Sequence, residues 1–380
     1  MKKLLTVGCA LVAGLALAGA CPCRDFGKLS DGRETKVWRI RGAGGMILDV
    51  TDYGGRIVRC LVPDKYGNLA DVTLGWNTAA EYERNGCSMG ALMGRFVGRI
   101  RDGRFTLDGQ AYQLPVCEDF GARHSNLHGG PMGWDTKIWQ VKSMTQGQIR
   151  GLELSCVSED GDMGFPGKVA CTATYLVLPN NTWSIDYEAT TDKPTVLNLT
   201  NHAYWNMAGE ASGGVLDQEL QVFADKWTKT DDALLPVSDE PVAGTGFDFT
   251  TLRRIGAKAD WMAAQAWLEC TGNWYDHNFV LRGKIGELHP AATLRDPVSG
   301  RRLEIWTTEP CVQVYGPQDI FYDGSNVCAK TAGRLYGRFP GIALETQHYP
   351  DSPNHPEFPS TVLRPGEVFR SHTEYRFSAE

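Results

Sequence analysis

Two stretches of this sequence hold residues able to move protons. In "NLTNHAYWN", residues 198–206, an extended backbone places Leu199, Ala203 and Trp205 on one side and Asn198, Thr200, His202, Tyr204 and Asn206 on the other. Asn and His are poor strand formers, and an outward face more often carries Lys, Glu and Thr. A polar but uncharged face points to enclosure around a polar guest. The plainer reading is a solvated outer face, with Asn198-Leu199-Thr200 a chance glycosylation sequon. In "GIALETQHYPDSPNHPEFPS", Glu345 and Gln347 share a face with Ala343 in an otherwise apolar strand that runs into a stiff, Pro-rich segment. Apolar surroundings disfavour the charged form of a carboxyl group, raise its pKa and make it a better base near neutral pH. The competing reading is a buried Glu paired with an arginine. A third stretch, "NWYDHNFVL", sets Asp276 and His277 at the head of an apolar run.

Other chemistries lack their signatures. There is no phosphate-cradling G-x-x-x-x-G-K-[ST], no G-x-G-x-x-G after a strand, no G-x-S-x-G and no H-E-x-x-H. His124 and His128 are four apart, but "HSNLHGGPMGW" is rich in glycines and turn formers, which argues against the helical face a zinc pair would need.

The elements that must position these residues are mostly strands. From residue 37 onward, short runs rich in Val, Ile, Thr, Tyr and Trp alternate with Gly, Asp, Asn and Pro. Leu107-Asp108-Gly109 and Pro179-Asn180-Asn181 sit between paired runs, as hairpin turns do. Helices are expected only around Asn77 to Glu83 and Asp260 to Leu268. With no βαβ alternation, the pattern predicts an all-β fold, a large antiparallel β-sandwich with few short helices. At 380 residues, with 42% hydrophobic and 22% charged residues, the composition is that of a soluble globular chain. A net charge of -7 argues against a duplex nucleic-acid binder.

Lys2 and Lys3 precede an uncharged run ending in Ala18-Gly19-Ala20, which reads as a secretory signal peptide over residues 1–20. Cys21 follows directly, so a lipoprotein signal is the rival reading. The expected organisation is this signal, a short tether over 21–36 and one β-sandwich domain over 37–380. Export follows, to the periplasm or to a lipid anchor on the bacterial envelope. The 11 cysteines show neither disulfide-framework nor zinc spacing and read as small buried hydrophobes with a disulfide or two among them.

Taken together, "GRFVGRI", "NLHGG" with "GW" after it, "NLTNHAYWNMAG", "LLPV…EPVAGTGFDF", "YDHNFVL", "VQVYGP" and "ALETQHYPDSPNHPEFPSTVLRPGE" resemble, in order, the aldose 1-epimerases, or galactose mutarotases. The likeness runs from about Val37 to Phe377. It implies a galactose mutarotase-like β-sandwich with a cleft across one concave sheet. It also implies a base at Glu345, an acid at His202, and a second histidine, His128, near the sugar ring oxygen. Arg99, Asp276 and Gln313 match residues that hold sugar hydroxyls, and Tyr204 a further contact. Gly98 and Trp205 depart from the residues many members carry there.

The implied reaction interconverts the α and β anomers of a glucose- or galactose-type hexose. It needs one base and one acid, with neither metal nor cofactor, and histidine suits the acid because its pKa lies near ~6.5. Tyr204 and Tyr315 are the aromatic wall expected for the sugar's C–H patches. A binding-only sandwich is the alternative from another class, and a hexose-phosphate epimerase or a polysaccharide-active relative are alternatives among enzymes. The expected partner is a small-molecule aldose, and both monomer and homodimer are compatible with the sequence.

Overall fold

The structure, a computed structural model, describes residues 21–85, 88–258, 275–317, 321–322, 325–326 and 328–380. The signal sequence and the helix expected around Asp260 to Leu268 lie outside these residues. The architecture is the antiparallel β-sandwich read from the sequence, with one short α-helix among the described residues. Its larger sheet has nine strands in the order Gln140–Gln146, Ile149–Ser158, Val169–Leu178, Thr182–Thr191, Phe369–Ala379, Arg301–Thr307, His289–Arg295, Glu219–Val222 and Arg253–Arg254. The second sheet has six: Tyr204–Trp205, Ile342–Gln347, Cys311–Gly316, Tyr275–Leu281, Ala224–Thr230 and Pro236–Pro241.

Period-two alternation decides which face of the six-stranded sheet is dry. Val312 and Val314, and Ile342 and Leu344, join Trp183, Ile185, Tyr375 and Phe377 of the nine-stranded sheet in the main core. Trp205 is fully buried there, its ring 5.4 Å from Tyr375 and 5.6 Å from Phe377. Thr346 on the same face is matched by Thr373, the two hydroxyls 2.9 Å apart. The residues in between, Gln313, Tyr315, Ala343, Glu345 and Gln347, point the other way, where the site lies.

Turn chemistry behaves as expected. Asp108 and Gly109 both take positive φ, 51° and 82°, closing the hairpin of Arg104–Leu107 on Gln110–Gln113. The helix is Ala79–Asn85, two residues later than the sequence suggested, because Thr78 caps it: its hydroxyl meets Glu81 Oε2 at 2.8 Å and accepts from the Glu81 amide at 3.3 Å.

Two expectations are corrected. Residues 21–36 are not a tether: Cys23–Lys28 pairs with Glu34–Arg41 at the edge of a five-stranded sheet, and Phe26 and Leu29 are buried. Nor is 198–206 one strand. Thr200–Asn201 pairs with Leu92–Met93, and Tyr204–Trp205 with the strand Ile342–Gln347. The asparagines stitch this crossing segment to loop backbones: Asn198 bonds to Val97 and His348, Asn201 to the Gly90 carbonyl, and Asn206 to the Pro340 carbonyl. Of the five polar side chains, only His202 and Tyr204 line the cavity described next. The eight described cysteines are free of disulfides, and Cys23, Cys117 and Cys328 are exposed.

Candidate active site

Register brings the predicted residues into one place. Across three neighbouring strands, Asn278 pairs with Gln313, and Gln313 with Glu345; one row further, Asp276 pairs with Tyr315, and Tyr315 with Ala343. Tyr204 pairs with Ala343, and continuing that antiparallel register sets His202 across from Glu345. Their Nε2 and Oε2 atoms are 3.5 Å apart, on side chains 5% and 3% exposed. Together they face a cavity of about 260 Å³. It is lined by all seven residues the sequence singled out, Arg99, His128, His202, Tyr204, Asp276, Gln313 and Glu345, and by the expected Tyr315.

His128 enters from the three-stranded sheet Glu118–Phe120, Arg123–Leu127 and Arg99–Arg101. The "HGG" that follows this sheet is a tight turn, with φ of 54° at His128 and 88° at Gly129. A side chain at Gly129 would place its Cβ 2.3 Å from the Gly94 carbonyl oxygen, so only glycine fits. The turn sets the His128 ring edge-on to His202, centroids 5.2 Å apart. The His202 ring stacks on Tyr204 at 5.0 Å, with Tyr315 edge-on to Tyr204 at 5.9 Å, giving the cavity an aromatic corner.

Sequence reasoning did not single out Glu118 and Arg123, because "VCEDFGARH" reads as an ordinary polar turn. Glu118 takes Arg99 by two bonds, Oε2 to Nε at 2.7 Å and Oε1 to Nη2 at 3.0 Å. Asp276 Oδ2 is 3.5 Å from Arg99 Nη1, and Asp276 Oδ1 accepts from Gln313 Nε2 at 2.7 Å. Gln347 was seen only as a neighbour of Glu345. Both its amide atoms, and Gln313 Oε1, are buried without a hydrogen-bond partner from the protein, which leaves them to a polar guest.

Burial dominates the electrostatics. It pushes the Glu345 carboxyl up to about 8, with the Asp276 charge adding to the rise and Arg99 opposing it. It pushes His202 down to about 4, against the pull of Asp276. His128 is held well below the ordinary histidine range by burial, then by its neighbours His202 and Arg99. Burial also works against the Arg99 guanidinium, but Asp276 and Glu118 outweigh it and keep the charge in place. Glu345 and His202 therefore hold one proton between them over the range from about 4 to about 8. Carboxylic acid with imidazole, and carboxylate with imidazolium, are the same protonation state of the pair, separated by a single proton transfer.

His128, His202 and Glu345 each offer a ligand atom, all within 4.8 Å of one another, so the donor set deserves the question of a metal. The surroundings fit one poorly. Metal-bound histidines donate their second ring N–H to an acceptor. Here His128 Nδ1 itself accepts the Gly98 amide at 3.3 Å, which puts the ring proton of the neutral imidazole on Nε2. His202 Nδ1 is buried, with no partner beyond the residue's own backbone. These supports suit proton transfer. His124, the other histidine of the pair considered for zinc, is exposed and bonds Asp119 at 3.0 Å.

The profile of a family described as Aldose 1-epimerase matches residues 36–376. The chain is 35% identical over 356 residues to the aldose 1-epimerase of Escherichia coli K12, covering 92% of this chain and 97% of that protein. It is likewise 35% identical to the galactose mutarotase of Mus musculus, covering 93% and 97%. Among solved structures, a GalM/aldose epimerase homologue from C. elegans superposes with a TM-score of 0.77 at 28% identity, covering 90% of this chain and 98% of that one. A galactose 1-epimerase from Lactobacillus acidophilus NCFM shares the fold with a TM-score of 0.79 at 24% identity, covering 96% and 99%.

Nitrogen-15 NMR is expected to find both His128 and His202 as neutral imidazoles at neutral pH, with His128 Nδ1 unprotonated and Nε2 protonated. A doubly protonated His128, or a proton on its Nδ1, would contradict it.

Proposed function

The chain belongs to the aldose 1-epimerase family, and on that premise we propose that it interconverts the α and β anomers of glucose- or galactose-type hexoses by general acid–base ring opening and closure. The observation that carries this reading is the pair of buried proton-transfer groups, Glu345 and His202, 3.5 Å apart in a cavity ringed by hydrogen-bonding side chains.

Opening a pyranose means breaking C1–O5 while the C1 hydroxyl becomes a carbonyl. Glu345 takes the hydroxyl proton, the O–H electrons form C1=O, and the C1–O5 pair takes a proton from His202. This step begins from the carboxylate–imidazolium form of the pair. A hydroxyl donating to Glu345 stabilises the carboxylate, and the Asp276 charge favours the imidazolium. Neutral His128, its ring proton on Nε2, donates a hydrogen bond to the ring oxygen without having to release the proton. Rotation about C1–C2 followed by closure on the other face returns both protons. Arg99, Asp276, Gln313 and Tyr204 hold the remaining hydroxyls, so that only the anomeric end turns. Each proton-transfer group contributes roughly 10² to 10⁴ in rate. Among the described residues, both arginines of the cavity are engaged by Glu118, which speaks against a phosphorylated substrate.

We further infer that the protein is exported without a lipid anchor. Residues 1–20 support export, and the Cys21 sulfur lies buried, 3.6 Å from the Gly151 carbonyl oxygen, a position a thioether-linked lipid would have to vacate. The mature protein is expected to be soluble with an unmodified mass, and a diacylglyceryl addition at Cys21 would contradict this.

The activity itself is tested by polarimetry on freshly dissolved α-glucose and α-galactose. Glu345→Gln and His202→Asn are each expected to slow equilibration at least about a hundredfold while the thermal unfolding curve stays near that of the parent. A folded variant that kept parental turnover would remove its residue from the mechanism.

A further inference from the structure

Glu118 stands outside the chemistry just described, yet it is 8% exposed, lines the cavity and makes the two shortest contacts to Arg99. A guanidinium offers its donors in a rigid planar fork, and a carboxylate can take one edge of it bidentately. Glu118 takes the Nε/Nη2 edge, leaving Nη1 for the cavity, 3.5 Å from Asp276. Without Glu118, Arg99 would keep one buried acidic partner, and its fork would turn onto Asp276. The Asp276 carboxylate, now met only by Nη1 at 3.5 Å and by Gln313 at 2.7 Å, would then be closed to a sugar hydroxyl. Glu118 also sits 3.7 Å from Arg123, a second cavity arginine that packs over the Phe120 ring at 5.0 Å. Two guanidiniums therefore share Glu118 and Asp276, and with the Glu345–His202 pair holding a single proton the cavity is close to neutral.

We propose that Glu118 is a positioning and specificity-determining residue: it keeps the Nε/Nη2 edge of Arg99 so that only Nη1 reaches Asp276 and both meet the sugar, and it cancels the arginine charge so that the cavity refuses anionic sugars. This rests on the sugar-binding reading of the same cavity and assigns the selection of neutral over phosphorylated hexoses to one side chain. Glu118 acts through Arg99 and touches no reacting atom, so its loss weakens substrate binding more than turnover.

Steady-state mutarotation of α-glucose, with and without inorganic phosphate, tests this on the parent, Glu118→Gln and Glu118→Asp. Glu118→Gln is expected to raise KM at least about tenfold with kcat changed less than about threefold, and to make phosphate a competitive inhibitor. Glu118→Asp keeps the charge with a shorter reach, so it should raise KM yet stay indifferent to phosphate. The proposal is overturned if folded Glu118→Gln keeps the parental KM and phosphate indifference, if it loses kcat at unchanged KM, or if Glu118→Asp becomes as phosphate-sensitive as Glu118→Gln. Mutarotation by the parent enzyme is read in the same assay, so a failure here is distinguishable from a failure of the proposed activity.

Discussion

One proton shared between Glu345 and His202 is the constraint from which the rest of the site follows. Either group in water would titrate near its ordinary value and be a mediocre partner for the other. Burial disfavours the ion on both, raising the carboxyl and lowering the imidazole, so the pair prefers to hold a single proton and no net charge. A charge-neutral pair is what a buried site tolerates, since two unpaired ions there would carry a large desolvation penalty. It is also what anomer interchange needs, because the reaction consumes a proton at one oxygen and releases one at another, with the roles reversed on closure.

Holding such a pair together falls to the sheets. Glu345 comes from the C-terminal part of the chain and His202 from its middle, joined through the pairing of Tyr204 with Ala343. On the opposite face of the same strands, Ile342 and Leu344 and then Trp205 anchor into the core against the nine-stranded sheet. Side-chain alternation ties the two faces: a one-residue slip of the strand Ile342–Gln347 would bury Glu345 in the core and expose Leu344 to the cavity. Stability of the sandwich and geometry of the proton pair are thus set by the same register. The second layer is ionic. Arg99 is held between Glu118 and Asp276, and Asp276 in turn biases both Glu345 and His202.

Much of this was legible in the sequence, and the parts that were not have physical reasons. Strand alternation and turn chemistry gave away the sandwich, and the apolar run around Glu345 pointed correctly to a desolvated carboxyl. Its competing reading, burial against an arginine, is not the arrangement found, since Arg99 spends its donors on Glu118 and Asp276. The segment 198–206 reaches the cavity by a path that alternation does not describe. His202 and Tyr204 do face the cavity, but the asparagines beside them serve loop backbones, because the chain there leaves one partner strand for another. Alternation alone carries no sign of such a crossing. The pairing of Cys23–Lys28 with Glu34–Arg41 escaped notice because a short polar edge strand has little hydrophobic pattern. Glu118 escaped because its meaning lies in a partner 19 residues away, reached only after folding.

The account is tested most directly by the pH dependence of kcat/KM for mutarotation, after subtraction of the uncatalysed rate. With one proton on the Glu345–His202 pair, activity should hold a plateau between about 4 and about 8. Below it the pair gains a second proton and loses its base, and above it the pair loses its only proton and with it the acid. Both limbs belong to the pair rather than to either residue. A profile that instead breaks near ~6.5, the ordinary value of a solvated histidine, would contradict the shared-proton account.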